Sequence, residues 1–216
     1  MRLFLVRHAQ SGSNIAHAID TAIPGAPLTE LGLEQAARLA ARLADEHFDT
    51  VAASPLTRAQ QTAQPLADYR GRSVLTLDGL REVEAGDLEM ATEDGPIEIY
   101  RNAIVAWGTG DLDVQIPGAT SGHEFFDRYD AAVLALEDAG SSAVAISHGA
   151  AIRIWIAARC RDVDSAAIAD RSLANTGGAI VEGSTAAGWR LAGWLEEIVD
   201  ELPATGLHDA GGAPAR

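Results

Sequence analysis

The chain contains no lysine. All 16 basic residues are arginine, against 31 aspartates and glutamates, and the formal net charge is −15. Nucleic acid and anionic membrane surfaces bind through basic patches, so neither is expected as a partner. The same absence removes one inference: an arginine at a functional position is not a choice over lysine where the whole chain makes that choice. Cysteine is nearly missing too. Cys160 alone permits no internal disulfide and no thiolate metal cluster. Long apolar runs are lacking: the best candidate, AAIRIWIAARC, is broken by Arg153 well short of the ~20 residues of a membrane span. The start moves from Met1-Arg2 directly into the apolar run LFLV with no small-residue cleavage site, so no secretory signal is expected. These absences describe a soluble, cytoplasmic protein.

What is present suits one globular domain: 216 residues, 47% of them hydrophobic, enough to bury a sizeable core. Residues 2–6 read as a short buried strand. Residues 29–47 have helical spacing, with Leu33, Ala36, Ala37, Ala40, Leu43 and Ala44 on one face and Thr29 placed as N-cap. A strand is expected at 49–53, after which Ser54-Pro55 reads as N-cap plus first-turn proline of a helix. Further strands are expected at 74–77, 143–146, 178–181 and 189–194, and helices at 97–107, 125–139 and 150–159. Strands alternating with helices indicate an α/β protein, a three-layer α/β/α arrangement with a mostly parallel central sheet. The domain is drawn as 1–202, with 80–120 as a substrate-side insertion and 203–216 as a disordered, low-complexity tail.

Polar clusters follow three of these strands. Arg7-His8 follows the first, Ser54-Pro55-Leu56-Thr57-Arg58 the second, and Ser147-His148-Gly149 the strand at 143–146. Ligands of open α/β sheets bind outside the carboxyl ends of the strands. If these strands are neighbours, two arginines, two histidines and two helix N-termini face one space. Guanidinium groups and helix N-termini both suit a phosphate. The other histidines, His17, His47, His123 and His208, show no ligand spacing, and no metal site is expected. The four tryptophans read as core or pocket wall.

RHAQSGSN at 7–14 resembles the R-H-G-x-x-x-x-N opening of the histidine phosphatase superfamily, whose fold is phosphoglycerate mutase-like. PLTELGLEQA, SPLTRAQQTA, LREVEAGDLE, SHGAAIR and LANTGGAIV are similar to its later motifs, in order and over about the first 195 residues. The resemblance implies a nucleophilic, transiently phosphorylated His8. It gives Arg7, Arg58 and His148 the transferring phosphoryl group and Glu82 the proton donated to the leaving oxygen. It sets Asn14, Gln10 and Gly149 on the phosphate or substrate side. The chemistry is self-consistent: phosphoryl transfer is catalysed chiefly by fixed positive donors, and a neutral imidazole is a competent nucleophile. No metal or cofactor is called for.

The family's glycine after the histidine is Ala9 here, its W-E-G is Leu88-Glu89-Met90, and its G-G-E-S is Gly118-Ala119-Thr120-Ser121. Between 84 and 113 stand Glu84, Asp87, Glu89, Glu93, Asp94, Glu98, Asp111 and Asp113 against Arg101. If this segment roofs the pocket, it repels a bisphosphorylated cofactor. The expected activity is therefore hydrolysis of a small phosphorylated metabolite whose remainder is neutral or cationic. The other readings are a phosphoglycerate mutase-type phosphotransferase and a non-catalytic phosphate-binding module. The resemblance is compatible with a homodimer.

Overall fold

Strands whose alternate side chains are all apolar need cover on both faces. The computed structural model, which describes residues 1–195, supplies that cover. Its strands are β1 (Arg2–Arg7), β2 (Thr50–Ala53), β3 (Leu75–Thr76), β4 (Ser142–Ser147), β5 (Gly178–Ser184) and β6 (Gly188–Leu195). They form one six-stranded sheet in the order β3-β2-β4-β1-β5-β6. The first four are mutually parallel, while β5 runs antiparallel to β1 and β6 antiparallel to β5. The mostly parallel sheet is as expected, with an antiparallel pair closing one side.

Leu3, Leu5, Ala52, Ala143 and Ala145 point into one core, and Phe4, Val6, Val51, Ala53, Val144 and Ile146 into the other. The second core is covered by α2 (Glu30–Arg42, following the short α1, Gly12–Ala16) and α3 (Thr57–Tyr69), through Leu39, Ala40, Ala59, Ala63 and Leu66. The first is covered by α4 (Asp94–Gly108), α5 (Gly122–Ala139) and α6 (Gly149–Arg159), through Ile104, Trp107, Phe125, Tyr129, Ile152 and Trp155. A chain of ring contacts, Trp107–Phe125–Tyr129–Trp155–Trp189, runs through this side. Among the described residues no helix is long and apolar enough to cross a membrane.

Thr29 caps α2 as expected, its hydroxyl accepting from the Gly32 N–H at 3.0 Å. Ser54 does not cap α3, which begins at Thr57 behind an extended Leu56. The reason lies in the sheet. The Ser54 N–H extends the β2 ladder to the Ile146 carbonyl, and the Thr57 N–H is taken by the Pro24 carbonyl. The segment at 80–120 starts at the end of one 3₁₀ turn (Asp78–Leu80) and holds a second (Gly86–Leu88) and α4, three residues longer at its N-terminus than its periodicity indicated. α5 likewise begins earlier, behind a capping box of Ser121 and Glu124. The short α1 and α7 (Ser165–Ala169) are additions to the expected elements. The tail expected at 203–216, and the domain limit at 202, lie outside the described residues.

Candidate active site

The three polar clusters do converge, because β2, β4 and β1 are consecutive in the sheet and parallel. Arg7 pairs with Ser147 and Ala53 with Ile146, so their next residues leave the sheet in one row. The ladder continues one step further, with the His8 N–H donating to the Ser147 carbonyl at 3.0 Å. The cleft above this edge is lined by Arg7, His8, Asn14, Asp20, Arg58, Glu82, Tyr100 and Gly149, among others.

His8 is presented in one tautomer. Its Nδ1 lies 2.7 Å from the Ala9 carbonyl oxygen, which can only accept, so Nδ1 carries the hydrogen. Nε2 keeps its lone pair, and Arg58 Nε donates to it at 3.0 Å. Burial first, then the charges of Arg58 and Arg7, holds the His8 pKa well below the ordinary histidine value. The ring is therefore neutral at neutral pH, as a nucleophile must be. His148 stands edge-on to it with ring centroids 5.2 Å apart. It is wholly enclosed, with Nε2 at 2.8 Å from Ser54 Oγ and Nδ1 at 3.5 Å from Arg58 Nη2. Burial, Arg58 and His8, in that order, lower its pKa as well. Ser54, displaced from its expected capping role, thus fixes this second imidazole.

Asp20 is the residue that motif reading missed. Its carboxylate faces Arg58 Nη1 at 3.2 Å, with both side chains almost fully buried. It also accepts from Ser13 Oγ at 2.5 Å and the Ala26 N–H at 2.9 Å, while its backbone carbonyl accepts from Arg58 Nη2 at 2.5 Å. Gly25 closes over the pair at φ +67°, where a Cβ would stand 2.5 Å from Arg58 Nη1. Asn175, from the LANTGG motif, is a second omission. Its amide donates to the His8 carbonyl at 3.0 Å and to Asn14 Oδ1 at 3.2 Å. Beside it Thr176 sits at φ 59°, a sparsely populated conformation for a β-branched residue. Arg7 is held by the Leu173 carbonyl at 2.5 Å, so this loop grips both members of the Arg7-His8 pair.

Glu82 reaches the cleft from the loop after β3. Its carboxylate accepts from the N–H groups of Val83, Ala151 and Ala150, at 2.9, 2.8 and 3.2 Å. One expectation is narrowed: the Ala150 and Ala151 amides in the first turn of α6 are occupied by a carboxylate and the Thr57 amide of α3 by the Pro24 carbonyl, so these three N–H groups are not offered to an incoming phosphate. A side-chain anion satisfies the helix terminus for the same reason a phosphate would. The acidic roof is also corrected: none of its eight acids lines the cleft. Glu84 pairs with Arg81 at 3.0 Å, Glu89 braces Thr21 and Ala22, and Asp113 faces His123 at 3.3 Å. The carboxylates of the cleft are Asp20 and Glu82.

Asn14 lines the cleft, but its Oδ1 accepts from the Ser11 N–H at 3.0 Å and serves as a local cap for α1. Gly149 lines it as the first residue of α6. Gln10 does not: its Oε1 accepts from the Thr29 hydroxyl at 2.8 Å. The Ala9 methyl packs with Leu28 and Ala36, and Ala9 is not among the positive-φ residues, so the replacement of glycine is accommodated. Cys160 is buried and its thiol is pushed up to about 12, which rules it out as a thiolate nucleophile. No group of three or more potential metal ligands occurs among the described residues.

The chain is 32% identical over 206 residues to the PE-PGRS family protein PE_PGRS11 of Mycobacterium tuberculosis, matching 88% of this chain and only 35% of that protein. It is 33% identical over 157 residues to a "Probable phosphoglycerate mutase GpmB" of Yersinia pestis, covering 70% of this chain and 71% of the relative. The fold matches a mycobacterial glucosyl-3-phosphoglycerate phosphatase in complex with VO3 at a TM-score of 0.76 and 25% identity, over 90% of this chain and 98% of that one. Residues 3–197 match the histidine phosphatase superfamily (branch 1), and the chain belongs to that family.

Proposed function

We propose that the chain is a metal-independent phosphatase that hydrolyses a small phosphomonoester through a phosphohistidine on His8. The observation that carries this reading is the neutral His8 ring with its Nε2 lone pair directed at Arg58 Nε, 3.0 Å away. A phosphoryl group that takes the Arg58 Nε–H from Nε2, and is held by Arg7 as well, frees this lone pair and sets phosphorus against it. Nε2 attacks phosphorus, the P–O bond to the leaving group breaks, and its electron pair stays on the departing oxygen. Glu82, in its acid form, gives that oxygen a proton. Water then attacks the phosphohistidine and passes a proton to the Glu82 carboxylate. The P–N electron pair returns to Nε2, and inorganic phosphate leaves. The two guanidiniums offset charge on the equatorial oxygens throughout.

The charge in the cleft also supports a substrate class. Two arginines are met by the Asp20 carboxylate, Glu82 enters the reaction as a neutral acid, and His8 and His148 are neutral. Among the described residues no further cation lines the cleft beyond the phosphoryl site. A second anionic group on the substrate would find no cation to pair with beyond the phosphoryl site, so the remainder of the ester is neutral or cationic. The same argument weighs against a mutase, which must hold a second phosphoryl or carboxylate group. The mutase-type relative is the specific observation in favour of that second reading. A panel of phosphomonoesters assayed with wild type and His8→Ala tests the proposal. Neutral-tailed esters should be preferred, with His8→Ala inactive; equal turnover of bisphosphoglycerate, or phosphoryl transfer between its hydroxyls, would refute it.

A further inference from the structure

Glu82 lies on a stretch whose backbone carbonyls are captured one after another by side chains. The Gly79 and Arg81 carbonyls accept from Arg128 Nη1 at 2.9 and 3.0 Å, and the Glu82 carbonyl accepts from Arg128 Nη2 at 2.8 Å. The Leu80 carbonyl accepts from Ser147 Oγ at 2.8 Å and the Val83 carbonyl from Tyr100 OH at 2.7 Å. One arginine therefore serves three of five successive carbonyls. Its guanidinium lies over the Phe125 ring, 5.1 Å from the centroid, which fixes its plane. Gly79 brings loop and helix into backbone contact, since a Cβ there would stand 2.2 Å from the Arg128 carbonyl oxygen.

We infer that Arg128 is a positioning residue for Glu82: from α5 it clamps the main chain of residues 79–82, while the start of α6 holds the carboxylate. The inference rests on the reading of Glu82 as proton donor. Only a planar fork serves three carbonyls at once; a lysine ammonium at the end of a flexible stem does not reproduce it. Without the clamp the carboxylate still caps α6 and Ser147 and Tyr100 still hold the Leu80 and Val83 carbonyls, but the Gly79, Arg81 and Glu82 carbonyls are released and the main chain there can shift. A displacement of about 1 Å is enough to cost on the order of 10²-fold in proton transfer.

The test is leaving-group dependence, which a merely structural role would not alter. Wild type, Glu82→Gln, Arg128→Met, Arg128→Lys and the control Arg159→Met are compared by kcat/KM, which reports transfer to His8 and not the shared hydrolysis of the phosphohistidine, on esters running from nitrophenyl to simple alkyl leaving groups. Arg159 also lies against α5, pairing with Asp130 at 2.7 Å, but does not line the cleft. Glu82→Gln should lose about 10²- to 10⁴-fold on alkyl esters and far less on the nitrophenyl ester. The Arg128 variants should steepen in the same direction, by about 10- to 100-fold on alkyl esters, with Arg159→Met losing equally on all. Arg128→Lys keeps the test readable if Arg128→Met does not fold. Equal losses across the series in both Arg128 variants, with Glu82→Gln still steep, would overturn the clamp alone. A flat Glu82→Gln series would overturn the proton-donor reading and the clamp with it.

Discussion

Two neutral imidazoles buried side by side make the fold sensitive to mild acid. The folded-state pKa values of His8 and His148 lie well below the ordinary histidine value, chiefly through burial and Arg58. The sign follows directly. Above about pH 6.5 both states are neutral and nothing is lost. Below it the unfolded chain takes up two protons that the folded chain refuses, and stability falls with pH. With no uptake in the folded state down to pH 5.5, each ring contributes a loss of about 1.4 kcal/mol there and less than about 0.1 kcal/mol at pH 7.5. The pair should therefore lower the unfolding free energy by about 2.7 kcal/mol between these two values. Urea unfolding followed by circular dichroism, in buffers free of phosphate, measures this directly. His8→Gln and His148→Gln should each remove about half of the pH-dependent loss, whatever they do to stability at pH 7.5. An unchanged midpoint at pH 5.5, or variants that keep the full slope, would refute the claim that both rings are neutral and desolvated.

Asp20→Asn keeps an acceptor for Ser13 and Ala26 but leaves the Arg58 charge buried without its counter-ion. Stability should drop by about 3–5 kcal/mol, while competitive inhibition by inorganic phosphate tightens as the cleft loses a negative charge; an unchanged inhibition constant would count against the Asp20–Arg58 pair as part of the site. Gly32→Ala should cost at least about 1–3 kcal/mol, since its Cβ would fall 2.0 Å from the Gln10 carbonyl oxygen. A variant as stable as wild type in thermal unfolding would contradict that close approach of α2 to the loop after His8.

The sheet was readable because β1, β2 and β4 are short apolar runs, and runs apolar on both faces have few places to go besides a covered parallel sheet. Thr29 was readable because an N-cap is a local event, settled within three residues. Ser54 carries the same local signal and fails it, because a ladder bond to Ile146 and the ring of His148 compete for it from distant parts of the chain. α1 and α7 span five residues each, too short to display a helical period. At the site, Arg7, His8 and His148 stand at or just beyond strand ends and Arg58 in the first turn of the helix that follows β2, where position alone implies convergence. Asp20 sits in an irregular stretch and meets Arg58 across 38 residues of sequence, so neither periodicity nor a motif marks it. The acidic roof failed for a related reason: a count of charges along the chain says nothing of which way each one faces. The preference against a second anion rests instead on where the cations stand: Arg7 and Arg58 both belong to the phosphoryl site and leave none for a further charge.

The account stands on a covalent bond between phosphorus and His8 Nε2. Rapid acid-avoiding quench of the protein with a phosphorus-labelled ester, followed by peptide mapping, examines that bond itself. Label that is stable to alkali, labile to acid, located on His8 and absent in His8→Ala is the result expected. Turnover with no label on His8, or with label on another residue, would mean that water or a different side chain attacks phosphorus.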